Sequence, residues 1–193
     1  MKRRTFDGLV TLVGFGLSVF LFIAAGLLNW GYTFADSTVK NQLQAQQIIM
    51  PSKTMNANEP ASVTAYFKAH GGKLMSTGAD AQMYADHYLG FHLSKMPTYA
   101  EISATSRADT SAAAANPTDA TLQAKVTASA ATLDTVFKGT MLKGTLLVAY
   151  AFGTFGLLAK YGALACLLAG LLILALSVLG LGHRAKTPEH VTI

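Results

Sequence analysis

The sequence predicts an all-α membrane protein: two transmembrane helices flank an extracytoplasmic helical domain, and the second span continues outward as a long core helix. Three observations lead there. Residues 8–28 carry no charge, residues 144–182 carry only Lys160, and the stretch between these runs shows helical spacing without a strand pattern. About 20 apolar residues suffice to cross a bilayer core, so both runs are long enough. Of 193 residues, 51% are hydrophobic and 13% charged, and the mean hydropathy of +0.36 is too high for an ordinary soluble domain.

Charge sets the expected orientation. The net charge is +5, with Lys2, Arg3 and Arg4 before the first run and Arg184 and Lys186 after the second. Between 36 and 143, acids and bases nearly balance. This is a positive-inside pattern and not a nucleic-acid footprint. Both tails, 1–7 and 183–193, are therefore expected in the cytoplasm of a multi-pass cell-membrane protein.

The first span is expected over 8–30. Trp30 and Tyr32 follow its apolar run, as interfacial aromatics do. The rival reading is a cleaved signal peptide, with Thr33-Phe34-Ala35 as a tolerable cleavage site. A signal core is usually about 7–15 residues long and this run is longer, which favours an uncleaved anchor. Gly14 and Ser18 form a small-xxx-small pair suited to close helix contact, and Ala24, Ala25 and Gly26 add a smooth patch.

The outer domain is expected over 31–159. Val39, Leu43 and Ile48 or Ile49 keep helical spacing until Met50-Pro51-Ser52. After a loop to Pro60, residues 61–69 read as a short helix with Val63, Tyr66 and Phe67 on one side, ended by Gly71-Gly72. Thr77-Gly78 opens a stronger helix over 79–95, with Met83, His87 and Phe91 spaced by four and Tyr84 and Tyr88 alongside. Pro97 stops it, and Thr98 with Glu101 makes a capping box for a helix to about 115. Asn116-Pro117 breaks that helix. Thr118-Asp119 starts the last one, whose period Leu122, Val126, Ala130, Leu133 and Phe137 carry towards Met141. These segments hold few large apolar residues and would bury a thin core alone. Residues 144–159, apolar on all sides, would supply the missing partner, buried in protein or in lipid.

The second span is expected over 160–182. Lys160 and Tyr161 form its outer boundary and mirror Trp30 and Tyr32, and 163–181 is uncharged. A third span at 144–159 would be short and would put Arg184 and Lys186 outside, so two spans are preferred. Gly162, Cys166 and Gly170 form a second small-residue row. Cys166 is the only cysteine, which excludes a disulfide within the chain and any cysteine-based zinc or iron–sulfur site.

Three stretches, GYTFADSTVKNQLQAQQI (31–48), TGADAQMYADHYLGFHLSKMP (77–97) and FKGTMLKGTLLVAYAF (137–152), resemble a family of small actinobacterial two-span membrane proteins of unestablished function. The resemblance covers most of the chain and implies the same architecture. Some members carry an aromatic ring-opening dioxygenase label. Such an enzyme needs a non-haem iron site of converging His and carboxylate ligands, and the histidines here show no such pattern.

No phosphate loop, nucleophile elbow or H-E-x-x-H occurs. On a regular helix His87 and His92 would stand about 140° apart, and Asp86 has only Leu89 and Gly90 three and four residues on. Met83 and His87 do share a face and are the candidate ligands for a soft metal such as Cu(I), with packing as the alternative role. No charge lies within the apolar stretches 8–28 and 163–181 of the two spans, which weakens a proton-coupled transporter. The reading is a non-catalytic, membrane-anchored interaction, scaffold or accessory-subunit protein of the cell envelope. It uses no cofactor and works against the bilayer and a membrane-protein partner or a homo-oligomer. The alternatives are an extracytoplasmic binding module for an apolar ligand or soft metal ion, and an oligomeric pore or transport component.

Overall fold

Prolines punctuate this chain. None falls between residues 3 and 45 or between 120 and 186, and both stretches form single helices in the computed structural model, which describes residues 3–186 and 188. Lys2 of the basic N-terminus, and residues 187 and 189–193 of the C-terminal tail, lie outside the described residues. Helix α1 spans Arg3–Ala45 and α6 spans Ala120–Lys186. Between them come α2 (Ala61–His70), α3 (Gly78–Met83), a π-helical turn (Tyr84–Leu89), α4 (Gly90–Leu93) and α5 (Tyr99–Ala115). Pro60 is the N-cap of α2, and Thr98 after Pro97 is that of α5, so the rigid rings stand where helices start. No strand forms among the described residues. A single antiparallel bridge joins Ile49 to Leu74, and Met75 N–H donates to Ile48 O (2.8 Å) while Met50 N–H donates to Lys73 O (2.9 Å).

The chain divides into two units. The first comprises the described residues of Met1–Ser37 and Thr154–Ile193. Here α1 and α6 pack antiparallel, with Ala35 against Gly156, Ser18 against Gly170 and Gly14 against Ser177. Small residues make this approach possible. Thr11, Ser18 and Ala25 are buried at intervals of seven on α1, and Gly156, Ala163, Gly170 and Ser177 repeat the same interval on α6. A seven-residue repeat keeps one side chain per two turns on the seam, which is how a helix pair stays in register. The Ser18 hydroxyl donates to Gly170 O (3.2 Å), and Thr11 and Ser177 donate to carbonyls of their own helices, Asp7 O and Ile173 O.

Both helices are long and apolar enough to cross a membrane. A core helix of a soluble protein passes the same test but buries its apolar window. Here only 17% of the window in α1 and 11% of that in α6 are buried, so leucines, valines and phenylalanines point outward.

The second unit is Thr38–Gly153. Its core gathers Val39 and Leu43 of α1, Val63 and Phe67 of α2, Met50 and Met75 from the connecting segments, Ala81 and Ala85, and Leu146 of α6. Gly78 permits a close crossing: a Cβ there would stand 3.1 Å from Tyr150 Cα, so the start of α3 lies directly on the α6 backbone.

One expectation changes. The regular helix over 79–95 is instead α3, a π-turn and α4 in succession. The periodicity of Met83, His87 and Phe91 could not show this, because one inserted residue leaves the chain helical. Residues 144–153 bury one face, at Leu146, while Val148 and Phe152 are exposed. The start of α3 lies on this helix at Tyr150.

Candidate functional site

The two interface pairs read from the sequence meet. Lys160 Nζ lies 5.0 Å from the centroid of the Tyr32 ring, a cation–π contact, and Trp30 and Tyr161 are each 66% exposed. From 8 to 30 and from 161 to 183, each helix rises about 33 Å, close to a bilayer core of about 30 Å. At the far end, Asp7 Oδ2 and His183 Nε2 are 4.0 Å apart, and the Arg184 guanidinium lies against Gly8. Aromatic and charged side chains thus end the apolar stretch at matching levels on both helices.

The small-residue candidates sit as follows. Ser18 and Gly170 touch directly through their hydrogen bond, and a Cβ on Gly14 would run into the Ser177 hydroxyl. Gly162 faces Leu28, with 3.3 Å to a would-be Cβ, and Cys166 is half-buried.

In the second unit, Asp80 is the most engaged polar side chain. The α2 helix presents Tyr66 and His70 one turn apart, their rings stacked at 4.0 Å between centroids. Tyr66 O–H donates to Asp80 Oδ1 (2.8 Å), and His70 Nδ1 donates to the same oxygen (2.7 Å). A carboxylate only accepts, so this bond fixes the hydrogen on Nδ1. Ser76 N–H (3.2 Å) and Thr77 N–H (3.0 Å) donate to Oδ2, and Asp80 N–H donates back to Thr77 Oγ1, closing a capping box on α3. Burial alone would raise the Asp80 carboxyl. The bonds from Tyr66, Thr77, Ser76 and His70 outweigh it and hold the group below the ordinary carboxylate range. Burial, and then the adjacent Asp80, push the Tyr66 phenol far up. Four donors saturate the two oxygens, so Asp80 is a clamp joining α2 to α3, with no lone pair left for a metal or a substrate proton.

The sequence reading missed this cluster. Thr77-x-x-Asp80 is the signature that would have found its capping half. Nothing local announces Tyr66 and His70, which reach Asp80 only after the chain turns through Gly71-Gly72. Gly72 has φ +74°, a left-handed conformation suited to glycine, and its N–H donates to Met50 O (2.9 Å).

The π-turn sends neighbouring side chains to different elements. Asp86 Oδ1 is 3.5 Å from Lys143 Nζ on α6, and His87 Nδ1 is 2.9 Å from Glu59 Oε2, ahead of α2. Met83 ends α3 and packs against the core, so the candidate ligand pair stands at an element junction, with one nitrogen of His87 committed to Glu59. Among the described residues, no three of His, Cys, Asp and Glu converge on a metal position. Tyr84 and Tyr88 lie 4.7 Å apart and Tyr88 and His92 4.8 Å apart, and burial raises the Tyr84 phenol.

On the α6 portion of this unit, Phe137, Met141 and Val148 are 48%, 54% and 68% exposed. Their spacing places them within about 40° of one another around the helix, so they form a single apolar stripe. Tyr99 of α5 extends it, with its ring 6.1 Å from that of Phe137.

No family model matches the chain, and no curated protein and no solved structure matches it either, which is consistent with a family of unestablished function.

Proposed function

We propose that the protein is a two-span, non-catalytic membrane anchor whose helical unit lies outside the cytoplasm and engages a membrane-protein partner, or a second copy, as an interaction or accessory subunit. The observation that carries this reading is the stripe of Phe137, Met141 and Val148. It lies in the unit that has its own buried core, yet it is exposed. Contiguous apolar surface on a folded unit marks a site of interaction. The saturated Asp80 clamp supports the non-catalytic half, because the most buried carboxylate acts as a structural joint. The matched aromatic and charged levels on α1 and α6 support the two spans.

A photoreactive phenylalanine analogue placed at Met141 or Val148 tests the reading in native membranes. Ultraviolet irradiation is expected to give one discrete adduct, either with another membrane protein or with a second copy. The same probe at Lys125, exposed and about 120–160° round α6 from the stripe, is expected to give none. No adduct from either stripe position, or equal labelling from Lys125, would sink the proposal.

A further inference from the structure

Near the Trp30 and Lys160 level, the surfaces of α1 and α6 leave a groove of about 510 Å³ beside the seam at Ala25 and Ala163. That lies within the roughly 300–1,000 Å³ typical of small-molecule sites. The body of the groove is apolar, lined by Phe22, Leu164 and Leu167. Its buried floor is Ala25 and Ala163, and its open side is at Gly26, which is exposed and has no atom within 4 Å of a would-be Cβ. Its mouth is polar, with Asn29 and Lys160 at one end and Phe22 and Leu167 about 10 Å further along the helices. Lys160 is the only charged residue in 144–182, its ring contact is with Tyr32, and among the described residues no carboxylate lies against it. A cation and an amide at the mouth of an apolar slot fit a ligand with an anionic head, acceptor oxygens and a hydrocarbon tail.

We propose that this groove binds one anionic phospholipid. Its phosphate oxygens accept from Lys160 Nζ and Asn29 Nδ2, and one acyl chain runs along Phe22, Leu164 and Leu167. The inference rests on the reading that α1 and α6 span the bilayer with Lys160 at the interface. Charge complementarity favours an anionic lipid over a zwitterionic one, whose own cation would face Lys160. A second copy seated on the same surface by two-fold symmetry would bring its Lys160 to the same level, like charge against like.

The test uses the full chain in vesicles of equal phosphatidylglycerol and phosphatidylcholine, extracted gently and weighed by native mass spectrometry. One retained phosphatidylglycerol is expected, enriched roughly fivefold over phosphatidylcholine, the scale of one lysine near an anionic surface. Lys160→Gln is expected to bring the retained lipids to the bulk ratio. Gly26→Phe puts a ring into the open side of the groove and is expected to remove retained lipid of both kinds. Retention in the bulk ratio by the unaltered protein, unchanged enrichment in both variants, or a lipid-free dimer overturns the proposal. Flotation of the same vesicles separates the two readings. Protein that fails to float overturns the spanning helices, whereas protein that floats without enrichment overturns the lipid site alone.

Discussion

Asp80 is 3% exposed and accepts four hydrogen bonds, so its removal is felt through its partners. Asp80→Ala leaves the Tyr66 hydroxyl, His70 Nδ1 and two backbone N–H groups without an acceptor, in a place where water enters poorly. A cost of about 2–4 kcal/mol is expected, given that each orphaned buried donor costs about 1–3 kcal/mol before relaxation. Thermal unfolding followed by circular dichroism in a non-ionic detergent reads this directly. The same residue sets an acid limit. Its folded carboxyl titrates below the ordinary range, so its contribution is complete above the unfolded value of about 3.9 and is lost as pH falls through the lower folded value. The midpoint of the native protein should therefore fall as pH drops below about 4, and Asp80→Asn should flatten that part of the curve. An Asp80→Asn profile as steep as the native one would show that other carboxylates set the acid limit.

At the scale of elements, the seam of the α1/α6 pair makes the sharpest test. A Cβ at Gly170 would stand 2.9 Å from Phe22 Cε1 and 3.3 Å from Leu21 Cβ, whereas one at Gly16 meets nothing within 4 Å. Gly170→Ile should destabilise the pair by about 1–3 kcal/mol, the usual penalty of overpacking. Gly16→Ala should be neutral or slightly stabilising, because alanine is the better helix former. Unfolding in mixed micelles with rising dodecyl sulfate distinguishes them, and equal midpoints would show that the seam is looser than drawn. Much of this layer was readable in advance. Pro60, Pro97 and Pro117 bound their helices, and Thr98 with Glu101 announced the start of α5, because such rules act within one turn. Three features were not readable. The π-turn at Tyr84–Leu89 inserts a residue without changing the apolar spacing enough to notice. The seam repeats at seven, and only Ser18 and Gly170 of the small pairs spaced by four fall on its buried rows. The link from Tyr66 and His70 to Asp80 spans 10–14 residues and depends on the turn between α2 and α3.

For the molecule as a whole, topology is the deciding quantity, and charge supplies the argument. Basic residues flank the apolar stretches at Arg3, Arg4, Arg184 and Lys186, while the stretches themselves carry only Lys160, at one boundary. Two spans would return the chain to the side it left, and the proposed orientation, which the positive-inside rule prefers, has all four in the cytoplasm. A third span at 144–159 would carry Arg184 and Lys186 across, against that preference, and would leave too few residues to cross a core of about 30 Å comfortably. Single cysteines decide between these arrangements once the native thiol is removed by Cys166→Ala. A membrane-impermeant maleimide should label Lys125→Cys in intact cells. It should reach Arg4→Cys and Lys186→Cys only after permeabilisation. Labelling of Lys186→Cys together with Lys125→Cys in intact cells would establish an odd number of spans. That result would place residues 144–159 in the bilayer and make the exposed faces of Val148 and Phe152 lipid contacts. It would also remove the upper part of the stripe on which the partner-binding role rests, leaving Phe137 and Met141 to carry it.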